Sequence, residues 1–248
     1  MSRIVLVTGG SRGIGRATVK TFLELGDQVV TCGRNLSTWQ KAVEQDAELA
    51  AAEFLTVDLS EQRELDELFS QIQNRFGQLD VAVNNASPAN PATGQYASVD
   101  TPALAESLMA DFWIPAQCLK HELNLMRAGG SIVNISSVNG LRPTPNAAMY
   151  SAAKHALEGL TRSVALEAIQ DGIRVNAVAP GLTWTTRWQL RADQSGNPDL
   201  RSEMNGIVPA GRFAEPAEIA SAIVFLCSER AQYIVGHTLV IDGGVSLK

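Results

Sequence analysis

Tyr150 and Lys154 stand four residues apart in a run, 149–168, whose apolar spacing predicts a helix. That spacing puts both side chains on one face, one turn apart. Hydride exchange between a carbonyl and an alcohol builds negative charge on oxygen, and a positioned proton donor must meet it. A phenol serves when it gives up its proton more readily than in water, and a nearby ammonium favours the phenolate. Taken alone, a tyrosine four residues before a lysine is more often a surface pair than a catalytic one. Ser136 and Ser137 change the balance. Ser136 ends a predicted strand, 131–136, and Ser137 follows it, at the carboxyl end where open α/β sheets place their sites. A hydroxyl there would hold the substrate oxygen while Tyr150 transfers the proton. Nothing sets a His/Asp pair beside either serine, so a nucleophilic serine hydrolase is not indicated.

The elements that must position these groups follow a β-α-β rhythm. Strands are predicted at 4–7, 28–32, 53–57, 79–84, 131–136, 174–178 and 238–241, with helical segments between them that include 15–25, 61–76, 149–168 and 216–228. Most strands are continuous apolar runs, as expected for strands covered on both faces. In 61–76, Leu65, Leu68, Phe69, Ile72 and Phe76 form one stripe, and Gly26 is placed to cap the first helix in a left-handed conformation. The expected fold is α/β: a Rossmann-like, doubly wound parallel sheet of about seven strands with helices on both faces. No repeat or linker divides the chain. It is expected to form a single nucleotide-binding domain over 1–248, with a substrate loop at about 180–212, the longest irregular stretch.

The first strand runs into Thr8-Gly9-Gly10-Ser11-Arg12-Gly13-Ile14-Gly15, and a helix follows. Glycines there allow a tight turn and close backbone approach to a pyrophosphate, which the helix N-terminus then binds. The spacing T-G-x-x-x-G-x-G, followed by Asn84-Asn85-Ala86, Ser137, Tyr150-x-x-x-Lys154, Pro180-Gly181 and Asp242-Gly243-Gly244, resembles the short-chain dehydrogenase/reductase family. The likeness runs from about residue 3 to residue 244, with several independent motifs in order.

That resemblance selects Ser137 over Ser136 and implies a catalytic Ser137, Tyr150 and Lys154, with Lys154 also reaching the nicotinamide ribose. It implies that Gly9, Ser11, Arg12, Gly13, Ile14 and Gly15 hold the dinucleotide. Asp58, with Leu59 beside it, would contact the adenine, although Asp58 and Ser60 also compete to cap the next helix. Asn84, Asn85 and Ala86 would floor the ribose site. Pro180, Gly181, Thr183 and Thr185 would face the nicotinamide carboxamide. Two positions depart from the family pattern. Ser87 replaces the second glycine of N-N-A-G, and Asp111 stands where many members carry an asparagine that supports a proton relay to the lysine. An active enzyme is expected all the same, with Asp111→Asn tolerated.

Cofactor choice follows from charge. The second strand ends Thr31-Cys32-Gly33-Arg34-Asn35, without the acid that takes the ribose hydroxyls of NAD. Arg34, with Asn35 beside it and Arg12 opposite, suits a 2′-phosphate, so NADP(H) is expected over NAD(H). The activity expected is that of an NADP-dependent ketone reductase or secondary alcohol dehydrogenase. The alternative is a non-catalytic NAD(P)-binding regulator of the same fold. Beyond the glycine-proline pair, Trp184, Trp188, Leu190, Leu200 and Met204 either pack a small helix or line an apolar substrate pocket.

Of the 248 residues, 45% are hydrophobic and 19% charged, with a formal net charge of −6. That balance disfavours nucleic-acid or anionic-membrane binding. Cys32, Cys118 and Cys227, like His121, His155 and His237, are too scattered for a disulfide framework or a metal site. Buried thiols, no metal and a cytoplasmic location are expected, since the N-terminus carries no signal-like apolar run. The family resemblance further implies a homotetramer or homodimer, built through the helices around 103–127 and 149–168.

Overall fold

The computed structural model describes residues 2–87 and 92–248. Its centre is one sheet of seven parallel strands: β1 (Ile4–Thr8), β2 (Gln28–Gly33), β3 (Glu53–Thr56), β4 (Leu79–Asn84), β5 (Met126–Ile135), β6 (Arg174–Pro180) and β7 (Thr238–Ile241). The strand order is β3-β2-β1-β4-β5-β6-β7. The order reverses between β1 and β4, which opens a crevice beyond their carboxyl ends. This is the doubly wound α/β fold expected from the sequence.

Side chains alternate across the sheet although the strands read as apolar throughout. Leu6 and Ile132 pack into one buried layer with Leu65, Leu68 and Val175. Their neighbours Val5, Val7 and Val133 pack into the other with Phe22, Ile219 and Ile223. A central strand buried on both faces has no polar side to show, which explains the missing in/out pattern.

The helices are α1 (Gly13–Glu24), α2 (Leu36–Gln45), α3 (Gln62–Phe76), α4 (Thr101–Leu108), α5 (Ile114–Leu125), α6 (Ala148–Ala168), α7 (Thr186–Ser195), α8 (Leu200–Asn205) and α9 (Pro216–Leu226). Gly26 follows α1 at φ +82°, and Gly77 ends α3 at φ +71°, the left-handed stops that glycine accepts without strain. Between α4 and α5 the chain widens into a π turn, Met109–Trp113. Pro115 has no N–H to return to the Asp111 carbonyl four residues back, so an ordinary turn could not close there.

Two segments differ from the sequence-based expectation. The stretch 180–212, expected to be irregular, contains α7 and α8. Neither helix buries a residue completely, so no apolar stripe announced them. β5 begins five residues earlier than predicted and ends at Ile135, which leaves Ser136 and Ser137 in the connection. None of the described helices is long and apolar enough to cross a membrane.

Candidate active site

After β5, Ser137 caps a short 3₁₀ turn, Val138–Gly140, and its Oγ accepts the Asn139 N–H at 3.1 Å. The turn lies flush on α6. A Cβ on Gly140 would come within 2.9 Å of Ser136 Oγ and 3.0 Å of the Lys154 backbone. A side chain at position 140 would press on both, so the glycine lets the turn after Ser137 pack directly on the helix carrying Tyr150 and Lys154. Ser136 is 3% exposed and its Oγ finds no partner among the described residues. It sits beneath the turn, against Gly140.

Tyr150 lies half-buried in the first turn of α6. One turn on, Lys154 is almost completely buried, with Nζ 5.7 Å from the Tyr150 ring centroid. Its ammonium donates to the Ile135 carbonyl at 3.0 Å and pairs with Asp111 Oδ1 at 3.3 Å. Asp111, from the π turn, is 1% exposed, and the same Oδ1 accepts the Ser87 hydroxyl at 2.6 Å. Arg187 of α7 reaches across to donate to the Ser87 carbonyl at 2.8 Å. The Lys154 nitrogen is thus held by a carboxylate and a carbonyl beside the Tyr150 ring.

The glycine turn lies across the crevice. A Cβ on Gly10 would meet Thr31 Oγ1 at 2.2 Å, and one on Gly15 would meet the Gly9 carbonyl at 2.3 Å. Thr8 Oγ1 accepts the N–H groups of Asn85 and Ala86, and Asn85 Nδ2 donates to the carbonyls of Thr8 and Gly9. The β4 terminus therefore holds the turn in shape. α1 starts here with no side-chain cap and no acid in its first turn, so its free N–H groups and dipole face the crevice. Ile14 packs on the core beneath it. This cradle fits the pyrophosphate of a dinucleotide.

At the end of β2, Ser11 Oγ lies 3.5 Å from where a Gly33 Cβ would stand. Arg12 donates to Thr38 Oγ1 at 3.2 Å, at the N-terminus of α2. Asn35 caps that helix, its Oδ1 accepting the Thr38 N–H at 3.3 Å. Arg34 is exposed beside Asp58. Burial pushes the Asp58 carboxyl up, but the Ser60 hydroxyl and amide and the Arg34 charge together hold it below the usual range. Asp58 thus makes an Asx-type turn with Ser60, while Glu61 occupies the N-cap position of α3. Leu59 is buried beside it.

On the far wall, Pro180 ends β6 and Gly181 packs so tightly on Asp242 that a Cβ would approach to 2.6 Å. Thr183 turns its hydroxyl to the Gly181 carbonyl at 3.3 Å. Thr185 lies against the glycine turn, its Cγ2 3.1 Å from a Cβ built on Gly13. The structure thus brings the turn after Ser137 against the helix of Tyr150 and Lys154, and Thr185 against the glycine turn, while Ile14, Asn35, Asp58 and Leu59 are engaged in core packing, a helix cap and a local turn.

One expectation needs correction. Asn84 does not floor the ribose site. Its Nδ2 donates to Glu122 at 2.9 Å and to Asn134 at 3.0 Å, inside the sheet. Consecutive strand residues face opposite ways, so with Asn85 at the turn, Asn84 must point inward. Sequence reasoning missed Glu122 of α5, which is fully buried and whose carboxyl burial pushes up to about 8. A glutamate within an otherwise apolar helix face was the available signal. It also missed Gly140 and Arg187, which have no motif of their own.

The family model described as enoyl-(acyl carrier protein) reductase matches residues 9–246. The L-fucose dehydrogenase of Mus musculus is 37% identical over 99% of this chain and 89% of its own length. The A-factor type gamma-butyrolactone 1′-reductase (1S-forming) of Streptomyces virginiae is 39% identical, over 99% and 96%. The solved structure of ElxO with NADP bound superposes with a TM-score of 0.90 and 30% identity, covering 100% of both chains. With its motifs in order along one doubly wound sheet and relatives spanning almost its whole length, this chain belongs to the short-chain dehydrogenase/reductase family.

Proposed function

We propose that this protein is an NADP(H)-dependent oxidoreductase that interconverts a ketone and a secondary alcohol, with Ser137, Tyr150 and Lys154 as its catalytic residues. Relatives named a dehydrogenase and a reductase support chemistry at a CH–OH/carbonyl pair. The observation that carries the reading is the buried Lys154 ammonium 5.7 Å from the Tyr150 ring, beside the turn that presents Ser137. When bound, the nicotinamide supplies or accepts the hydride.

Every other task falls to the chain. In reduction, the Ser137 hydroxyl donates to the carbonyl oxygen and holds it as charge builds. Tyr150 gives its phenolic proton to that oxygen, completing the alcohol, and the Lys154 ammonium stabilises the phenolate left behind. Oxidation runs the same transfers backwards, with the phenolate taking the hydroxyl proton. Arg34 and Arg12 are the residues that would hold a 2′-phosphate, at a helix N-terminus with no acid in its first turn. Thr183 and Thr185 would face the carboxamide, and 180–212 would close over the substrate.

Fluorescence titration with NADPH and with NADH tests the cofactor, followed by a carbonyl panel read by NADPH oxidation. Tighter NADPH binding that weakens at least tenfold in Arg34→Ala supports the reading, as does turnover that collapses in Tyr150→Phe. Equal affinity for NADH would overturn the cofactor assignment. NADPH binding without turnover would favour a non-catalytic regulator.

A further inference from the structure

The two departures from the family pattern, Ser87 and Asp111, touch each other. We propose that they act as one unit, in which Ser87 is a positioning residue that holds the Asp111 carboxylate against Lys154 and so sets how readily Tyr150 ionises. The inference rests on the catalytic reading above.

The geometry leaves Asp111 little choice. Oδ1 takes both the Lys154 ammonium and the Ser87 hydroxyl, while Oδ2 has no partner among the described residues. A carboxylate this buried needs donors to remain ionised. A glycine at position 87 would supply none. Ser87 is itself held by Arg187, which donates to its carbonyl and lies 3.4 Å from its hydroxyl. The hydroxyl is thereby aimed inward.

The ionised carboxylate opposes the effect of the ammonium. Lys154 favours the Tyr150 phenolate, and a negative charge 3.3 Å from Nζ cancels much of that field at the phenol. The other charged groups nearby are turned elsewhere. His155 of α6 bonds the Ser151 carbonyl, Glu158 of α6 meets Thr238 of β7 and Arg162, and Glu122 of α5 is bound by Asn84. Arg187 of α7 lies in the same cluster, donating to the Ser87 carbonyl. Among the described residues, Asp111 is the carboxylate that pairs with Lys154, and Ser87 donates to the same oxygen.

The test reads Tyr150 directly, by near-ultraviolet phenolate absorbance against pH, with Tyr150→Phe as the blank. Asp111→Asn should bring the phenolate in about one pH unit earlier than wild type. Ser87→Ala should shift it the same way by less, since a carboxylate stripped of a donor protonates more easily. In the D111N background, S87A should add nothing, whereas Ser87→Thr alone, which keeps the hydroxyl, should titrate as wild type. An unshifted S87A, or a shift that persists on top of D111N, would overturn the proposal. Because this readout needs no turnover, a silent carbonyl panel would sink the catalytic reading while the titration still decides this one.

Discussion

Gly140 shows how much of a catalytic site is set by a residue that takes no part in the chemistry. The nearest atoms to an added methyl belong to the Lys154 backbone and Cβ and to Ser136 Oγ, and a helix backbone cannot move aside as a flexible side chain can. Gly140→Ala must therefore lift Ser137 away from Tyr150. We expect kcat to fall about tenfold or more, the scale associated with sub-ångström to ångström misplacement, with NADPH affinity unchanged. Equal loss of cofactor binding would refute the local explanation. Glu122 makes a second residue-scale prediction. Its carboxyl is raised from 4.5 to about 8, mainly by burial, partly offset by the Asn84 hydrogen bond. The folded protein keeps a proton that the unfolded chain releases, so this contribution to stability is fully present below about pH 4.5 and is lost as pH rises through about 8. Denaturant midpoints should fall across that window in wild type, and Glu122→Gln should flatten the decline. A parallel decline in both would show that another group controls it.

At the scale of elements, the segment over the crevice is held by aromatic edges. Phe213, 2% exposed, lies 5.1 Å from both Trp184 and Trp188, edge-on to each. Arg201 stacks over Trp184 and Arg191 over Trp188. These tryptophans anchor α7 and its approach to the body, which answers the packing side of the question their sequence posed. Phe213→Ala should cost about 3–5 kcal/mol locally and free α7. Apparent KM should then rise more than kcat falls, as steady-state kinetics would show; a kcat-only defect would mean the anchor serves the chemistry instead. The same segment marks where the sequence was hardest to read. Strands buried on both faces, the stripe on α3 and the Tyr150–Lys154 spacing were legible because each is local and periodic. α7 and α8 were not, because exposed polar helices carry no stripe. The Ser87–Asp111 bond was half legible: each departure could be seen, but their contact depends on how β4 and the π turn fold together. Asn84 was misplaced because a motif conveys residue order and not the side of the strand each residue faces.

For the molecule as a whole, the remaining question is what covers its apolar surface. Leu108, Met109 and Trp113 are 38%, 43% and 49% exposed, and Leu166 is 70% exposed. The first three lie on α4 and the π turn and the last on α6, elements that pack against one another. Scattered exposed side chains need no explanation, but large ones on adjoining elements are what a surface between copies of the chain would use. These are also the helices expected from the family resemblance to join copies of the chain. Assembly there would have a catalytic consequence, since Met109 and Trp113 bracket Asp111 within one π turn. A partner pressing on that turn would fix the carboxylate that meets Lys154. We therefore expect wild type to sediment as a dimer or tetramer and Trp113→Glu with Leu166→Glu to sediment as a folded monomer. That monomer should bind NADPH normally, yet turn over several-fold more slowly, with a pH profile displaced in the direction of Asp111→Asn. A wild-type monomer at assay concentration would remove the premise. A monomeric variant with unchanged turnover and pH profile would show that assembly and catalysis are independent here.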